Sequence, residues 1–212
     1  MTDTAVTFIN VFELPDEIDR DEFAAAWRSR VVEHMRTAPG FRDARLHRAV
    51  RPVTRFPLVN VSHWDSPEQA AASQDNPDWQ RTLRDIPAGV RPNTGLYDIV
   101  HDFASPTDRE WDGPGVTFMN VFEIDPAGVD EFAENWAERA KLMQAAPGFR
   151  DVLLHRARST DTRFQLVNVA HWDSIEQWQA ATQQPAMAAS ATAARAHATP
   201  NAAIYTVVVE VD

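Results

Sequence analysis

Three side chains in the first half of the chain have the types and spacing that could hold a small molecule. Asn10 lies in the middle of the apolar segment VTFINVFEL, and Asn60 and Trp64 belong to LVNVSHW. Side chains alternate between the faces of a strand, so Asn10 shares a face with Phe8 and Phe12, and Asn60 shares one with Trp64. Buried carboxamides need partners, and two of them with an indole in an apolar lining are typical of a small-molecule pocket. Purely structural hydrogen bonding by the asparagines is the alternative.

The same set of residues returns in the second half of the 212-residue chain. VTFMNVFEI contains Asn120, LVNVAHW contains Asn168 and Trp172, and APGFRD occurs in both halves. A repeat of this length is longer than a solenoid unit and corresponds to a duplicated small domain. We predict a first domain, a polar linker with proline and glycine, and a second domain at residues 1–104, 105–114 and 115–212.

Each copy begins with a strand that is followed by a helix. In the first copy, Asp19 with Glu22 three positions later predicts a helix start. The apolar side chains that follow at helical spacing are Phe23, Trp27, Val31 and Met35. In the second copy, Asp125 before Pro126 predicts the corresponding start. Two more strands, a second helical stretch and a closing strand follow in both copies.

The resulting order, βαββαβ, predicts an α+β fold of two tandem ferredoxin-like domains. Each domain has an antiparallel sheet with both helices on one face, and its other sheet face is also apolar. Two such domains in one chain can cover these faces by pairing their sheets. We therefore expect an intrachain pseudo-dimer with a barrel-like pair of sheets inside and the helices outside.

Composition narrows the classes of partner. The formal net charge is −11, which is opposite to the basic surface that nucleic-acid binding needs. The absence of cysteine excludes disulfides and thiolate chemistry. No apolar run of about 18 residues could span a bilayer, and the N-terminus lacks a secretory pattern. We expect a cytoplasmic protein with a small-molecule substrate and neither nucleic-acid nor membrane partners; further homo-oligomerisation stays open.

VTFINVFEL, the helix with Phe23 and Trp27, APGF and LVNVSHWDSPEQ resemble the antibiotic biosynthesis monooxygenase family of the dimeric α/β-barrel superfamily. The resemblance covers essentially both copies, and it implies a fused form of a domain that usually pairs as a homodimer. It also implies an anthrone oxygenase of aromatic polyketide pathways that makes quinones with O₂ and needs neither metal nor flavin. The catalytic residues that it implies are Asn10, Asn60, Trp64, Asn120, Asn168 and Trp172.

The residues implied by the resemblance could support a reaction on an anthrone- or phenol-type polycyclic aromatic. Carboxamide N–H groups would stabilise the enolate oxygen, and the electron-rich carbon would react with O₂ and give a quinone. Trp64 would stack on the polycycle or donate its indole N–H, with a core aromatic as the alternative. The aromatic side chains expected to bind substrate are Phe8, Phe12, Phe23, Trp27, Phe118, Phe122, Phe132 and Trp136.

Other functions stay open. A related oxygenase that uses reduced flavin is one alternative, and a ligand-binding barrel without catalysis is another. Haem-degrading relatives use a histidine in the second helical stretch, but residues 66–83 and 174–195 contain none. His63 points away from Asn60 and Trp64 by strand parity, and no His, Asp and Glu set has metal-ligand spacing.

The two copies differ in the second helical stretch. Trp178 replaces Ala70, and residues 185–198 are rich in alanine where the first copy has Trp79 and Leu83. The two pockets should therefore differ in shape, and we expect the first to be the better preserved.

Overall fold

The computed structural model of the chain describes residues 5–107, 113–185, 195 and 197–212. The first half comprises β1 Val6–Glu13, α1 Arg20–His34, β2 Phe41–Arg51, β3 Leu58–Trp64, α2 Pro67–Gln74, α3 Pro77–Leu83 and β4 Arg91–Ala104. The second comprises β5 Val116–Glu123, α4 Val129–Met143, β6 Phe149–Ala157, β7 Leu166–Trp172, α5 Ile175–Thr182 and β8 Thr199–Val211. Within the predicted linker and the alanine-rich stretch, residues 108–112, 186–194 and 196 lie outside the described residues.

The strands form an antiparallel arrangement in each half. In the first half, β3 lies between β1 and β2, and β1 also pairs with β4. In the second half, β7 lies between β5 and β6, and β5 also pairs with β8. The predicted α+β class and the ferredoxin-like order of each copy are confirmed. None of the helices in the described ranges is long and apolar enough to cross a membrane.

Contacts between residues divide the chain into two compact units. The first holds residues 5–49, 53–98 and 207–212, and the second holds residues 50–52 and the described part of 99–206. Residues 91–98 of the closing strand β4 belong to the first unit, and residues 199–206 of the closing strand β8 belong to the second.

Helix α1 covers one face of the first-half sheet. The Asp19 carboxylate accepts hydrogen bonds from the backbone N–H groups of Asp21 and Glu22 at 2.8 and 2.9 Å, so the predicted helix start is confirmed. The predicted apolar stripe is buried, with Phe23, Trp27, Val31 and Met35 at 4–5% exposure. Phe23 meets Phe12 of β1 edge-on, with 5.2 Å between ring centroids. Helix α1 is thereby fixed over the strand that carries Asn10.

The corresponding helix of the second half begins later than predicted. Asp125 accepts a hydrogen bond from the N–H of Ala127 at 2.9 Å, but it caps the 3₁₀ turn Pro126–Gly128. Helix α4 starts only at Val129. The prediction of a direct helix start at Asp125 was therefore wrong, because a proline-led turn of tighter pitch precedes the α-helix.

A serine at the N-terminus of α2 offers a test of this local structure. Ser66 is 1% exposed, and its Oγ accepts a hydrogen bond from the Gln69 N–H at 3.2 Å. We predict that Ser66→Ala lowers the free energy of unfolding by about 1 kcal/mol through loss of this cap. Urea denaturation measures the change, with the exposed Ser29→Ala in α1 as control. Equal midpoints for the two variants would contradict a capping role for Ser66.

Candidate active site

The two asparagines of the first half lie directly opposite each other in the sheet. Asn10 on β1 is the register partner of Asn60 on β3, and the same row includes Thr94 on β4 and Leu46 on β2. The neighbouring row on this face contains Leu96, Phe8, Ser62 and Ala44. One sheet face therefore carries two carboxamides and two hydroxyls among apolar groups.

A cavity of about 400 Å³ is bounded by this sheet face and by side chains of α1 and α3. Its lining includes every first-half residue predicted for the site, namely Phe8, Asn10, Phe12, Phe23, Trp27, Asn60 and Trp64. Residues 86–90, which precede β4, complete part of the wall. The volume and the mostly apolar lining suit a small organic ligand.

The two carboxamides face this cavity without protein partners. The Oδ1 atoms of Asn10 and Asn60 are buried, and neither has a hydrogen-bond partner within the described ranges. A carboxamide without partners can turn either its N–H₂ group or its carbonyl towards a ligand. Leaving such a group unsatisfied costs about 1–3 kcal/mol. A ligand that carries a hydroxyl, carbonyl or enolate oxygen would recover this free energy.

The indole of Trp64 is held by its neighbours. Its Nε1 donates to Ser62 Oγ at 3.3 Å, and that hydroxyl donates to the carbonyl of Phe8 at 3.3 Å. The side chain is 1% exposed and meets Phe41 edge-on, with 5.3 Å between centroids. The indole N–H of Trp64 is thus engaged by Ser62, and its ring forms part of the cavity wall. The two contacts expected between Trp64 and a substrate stay predictions.

Three lining residues that the sequence analysis did not assign to the pocket are Arg30, Phe41 and Gln74. Trp79 and Leu83, which it used to distinguish the two pockets, also line the cavity. Trp79 Nε1 donates to Gln74 Oε1 at 3.1 Å, which joins α3 to the end of α2. Arg30 follows Trp27 by three positions, so the two share a helix face, and this spacing was the available signal. For Trp79 the available signal was the contrast with the alanine-rich stretch of the second copy.

The matching cavity of the second half is much smaller, about 100 Å³. Trp178 of α5 occupies the position that Ala70 holds in α2, and its ring lies 5.1 Å from that of Phe118 between centroids. Phe118 corresponds to Phe8 in the first half. The indole of Trp178 therefore fills space that stays open above Phe8.

The predicted second-half residues come together only in part. Asn120 lies opposite Asn168 across β5 and β7 but does not line the cavity. The predicted residues that do line it are Phe118, Trp136, Asn168 and Trp172. Phe122 and Phe132 instead pack edge-on against each other, 4.9 Å between centroids. The described lining of the small cavity does not include these two residues, so their role in substrate binding stays a prediction.

Methyl groups replace two hydroxyls of the first-half site. Ala170 stands in the position of Ser62, and Ala202 in that of Thr94. Without a hydroxyl at residue 170, the Nε1 of Trp172 is buried and has no hydrogen-bond partner among the residues that the structure describes. The second half has thus lost polar groups as well as volume.

His63 and His171 follow the asparagines of β3 and β7 by three positions, so they lie on the sheet face opposite to the carboxamides. His63 Nδ1 is 2.8 Å from Asp43 Oδ1, and His171 Nδ1 is 2.6 Å from Asp151 Oδ1. Burial raises the pKa of Asp43, but its hydrogen bond with His63 and the nearby positive charges outweigh burial and hold that pKa below its usual value. Over the described ranges, no group of three or more His, Asp or Glu residues could hold a metal ion.

Both halves of the chain match the sequence model of one protein family. The model of the family described as "Antibiotic biosynthesis monooxygenase" matches residues 5–85 and 115–193. Deoxynogalonate monooxygenase of Streptomyces nogalater is 34% identical over 95 residues, which cover 45% of this chain and 78% of that protein.

Two solved structures extend the comparison. The crystal structure of an anthrone oxidase-like protein matches with a TM-score of 0.77 and 24% identity, over 99% of this chain and 93% of that chain. This likeness is one of fold. SnoaB, a cofactor-independent oxygenase from Streptomyces nogalater, matches 44% of this chain and 93% of its own with 33% identity and a TM-score of 0.40.

The contrast between Ala70 and Trp178 predicts a way to close the first cavity. Ala70→Trp copies the second half and should place an indole over Phe8, so we expect the affinity for a quinone such as emodin to fall by more than about tenfold. Isothermal titration calorimetry measures this affinity. Ala71→Trp adds the same side chain at the neighbouring exposed position of α2 and should leave the affinity unchanged. Unaltered binding by Ala70→Trp would place the ligand outside this cavity.

Proposed function

The chain belongs to the antibiotic biosynthesis monooxygenase family, and from this premise we propose a specific activity for its first half. The proposed reaction is the cofactor-independent oxidation by O₂ of an anthrone- or phenol-type polycyclic aromatic, such as a polyketide intermediate, to a quinone. Asn10 and Asn60 are the proposed catalytic residues, and Trp64 forms the wall beside them. The name of the 34% identical relative, deoxynogalonate monooxygenase, supports oxygenation as the reaction class.

One observation carries the proposal. Two opposed carboxamides, both without protein partners in the described ranges, lie on the floor of a cavity of about 400 Å³. The walls above them are aromatic, and flat aromatic ligands gain both apolar burial and ring contacts against such walls. The proposed substrate-binding side chains are Phe8, Phe12, Phe23 and Trp27.

The reaction follows from the chemistry of the substrate. An anthrone carries a CH₂ group across its central ring from a carbonyl, and loss of one proton gives a delocalised enolate. The N–H groups of Asn10 and Asn60 would donate to the enolate oxygen, as in an oxyanion hole. The carbanion carbon passes one electron to O₂, and the two radicals combine into a peroxide. The peroxide anion takes up a proton from water and becomes a hydroperoxide, which replaces the proton lost in the first step. Loss of the second C–H proton with cleavage of the O–O bond then leaves the quinone carbonyl and one water.

In the proposed reaction no side chain acts as a general base. Among the described residues that line the cavity, none is His, Asp or Glu. The first proton therefore passes to water, and the carboxamides favour its loss because they stabilise the anion more than the neutral anthrone. Electrons come from the substrate, so neither a flavin nor a metal takes part in the proposed steps.

Turnover assays test the reaction. Purified, metal-free protein is incubated in air with emodin anthrone, and formation of the quinone is followed by absorbance. We expect acceleration over the buffer rate without any addition. Acceleration only with reduced flavin would favour the flavin-assisted alternative, and none under either condition would leave a ligand-binding protein. A stoichiometric Soret shift on haem titration would support the haem-related alternative.

Matched substitutions in the two halves test the assignment of the site. We predict that Asn60→Ala lowers the oxygenation rate by about 10²–10³, because one donor to the oxyanion is lost. Asn168→Ala should change it less than about threefold, since the second-half cavity is too small for a polycycle. Initial rates with emodin anthrone and thermal melting of both variants separate activity from stability. Equal losses in the two variants, or a loss below tenfold in Asn60→Ala, would show that the asparagines are structural.

A further inference from the structure

The large cavity contains one feature that oxygenation of an anthrone leaves unused. Among the described residues that line it, Arg30 alone is charged. Arg30 lies on α1 one turn after Trp27, and its side chain is partly buried. A guanidinium at an apolar wall loses hydration, so its placement there needs a compensating interaction.

No such interaction comes from the described protein. Within the described ranges, the guanidinium of Arg30 makes neither a hydrogen bond nor an ion pair within 4.0 Å. Burial lowers the pKa of Arg30, and the more distant carboxylate of Asp85 partly offsets this. The side chain stays charged all the same, because an arginine does not lose its proton in proteins.

Several other arginines in the described ranges have a carboxylate neighbour. Each of the following lies within 4.0 Å of a carboxylate: Arg42, Arg45, Arg48, Arg51, Arg55, Arg81, Arg150, Arg156 and Arg163. Arg30 differs from them by facing a cavity. Its donors are therefore available to a ligand.

The second half provides an internal comparison. Arg139 follows Trp136 by three positions on α4, as Arg30 follows Trp27 on α1. The guanidinium of Arg139 lies over the ring of Phe132, 5.4 Å from its centroid, and the residue does not line the small cavity. Among the described lining residues, an arginine is thus present in the large cavity and absent from the small one.

We propose that Arg30 is an anion subsite of this cavity, which binds a carboxylate group on the polycyclic aromatic ligand. The proposal rests on the proposed function in so far as the ligand is the same. The planar guanidinium matches a carboxylate with two parallel N–H···O bonds. A single cation in an otherwise neutral lining suits one carboxylate better than a phosphate, which carries more charge. In a chain of net charge −11, an anionic ligand needs such a local cation.

The subsite also fixes how the ligand lies. Arg30 comes from the helix wall, whereas Asn10 and Asn60 come from the sheet. A ligand held by its carboxylate at Arg30 is oriented, and the same contact places one ring over the carboxamides. Arg30 thus selects acidic polycycles and positions them, and it takes no part in the bond changes.

Binding under anaerobic conditions tests the subsite without turnover. The probes are anthraquinone-2-carboxylate and its methyl ester, titrated by calorimetry into the whole protein. We expect the wild-type protein to bind the carboxylate more tightly than the ester, and Arg30→Gln to weaken carboxylate binding by about 10- to 100-fold while leaving ester binding unchanged. The carboxylate affinity of Arg30→Lys should fall between those of the wild type and Arg30→Gln, because lysine keeps the charge but lacks the two parallel N–H donors of a guanidinium.

Arg139→Gln is the matched control and should change neither affinity. Equal weakening of both probes by Arg30→Gln would show that Arg30 only supports the wall, and equal wild-type affinities for acid and ester would overturn the subsite. If Arg139→Gln weakened the carboxylate as much as Arg30→Gln does, the effect would be one of overall charge and the proposal would fall. Failure of the oxygenation assay with the carboxylate preference intact would refute the proposed function alone.

Discussion

The site depends on the register between β1 and β3. Because side chains alternate along a strand, a slip of one residue would turn Asn60 away from Asn10 and replace it on the cavity face by a valine. Apolar pairs on both sides of the asparagines hold this register, with Val6 opposite Trp64 and Phe12 opposite Leu58. The burial of these flanking groups under α1 therefore provides the free energy that keeps two unsatisfied carboxamides together.

The sequence predicts the floor of the site better than its volume. Strand parity is enough to place Asn10, Asn60 and Trp64 on one face, because period two leaves a single choice once the flanking residues are apolar. The volume depends on which helix side chains leave space, and this is settled by tertiary packing at residues such as Ala70. Arg30 escapes prediction for a related reason. Arginine on a helix usually extends to solvent, and only the assembled walls show that it faces a cavity.

The two halves show how few side chains separate a hollow from a packed core. Their strands follow the same order, and both place an asparagine opposite an asparagine. An indole at residue 178 fills the space above Phe118, and Ala170 removes the hydroxyl that would engage the neighbouring indole. An apolar hollow lacks the dispersion contacts of a filled core, so the cavity of the first half carries a cost in stability. The first half retains that cost, which fits selection for a ligand rather than for stability.

The second half also contains buried polar atoms that lower its stability, although its cavity is much smaller. Asn120 Oδ1 and Trp172 Nε1 are buried, and neither has a hydrogen-bond partner in the part of the chain that the structure describes. Apolar groups of similar shape at these two positions would avoid the penalty of about 1–3 kcal/mol for each. A domain shaped for stability alone would have lost them. Both groups nevertheless remain in the second half beside Trp178, so its sheet face keeps part of the polar character of the first half although its cavity is much smaller.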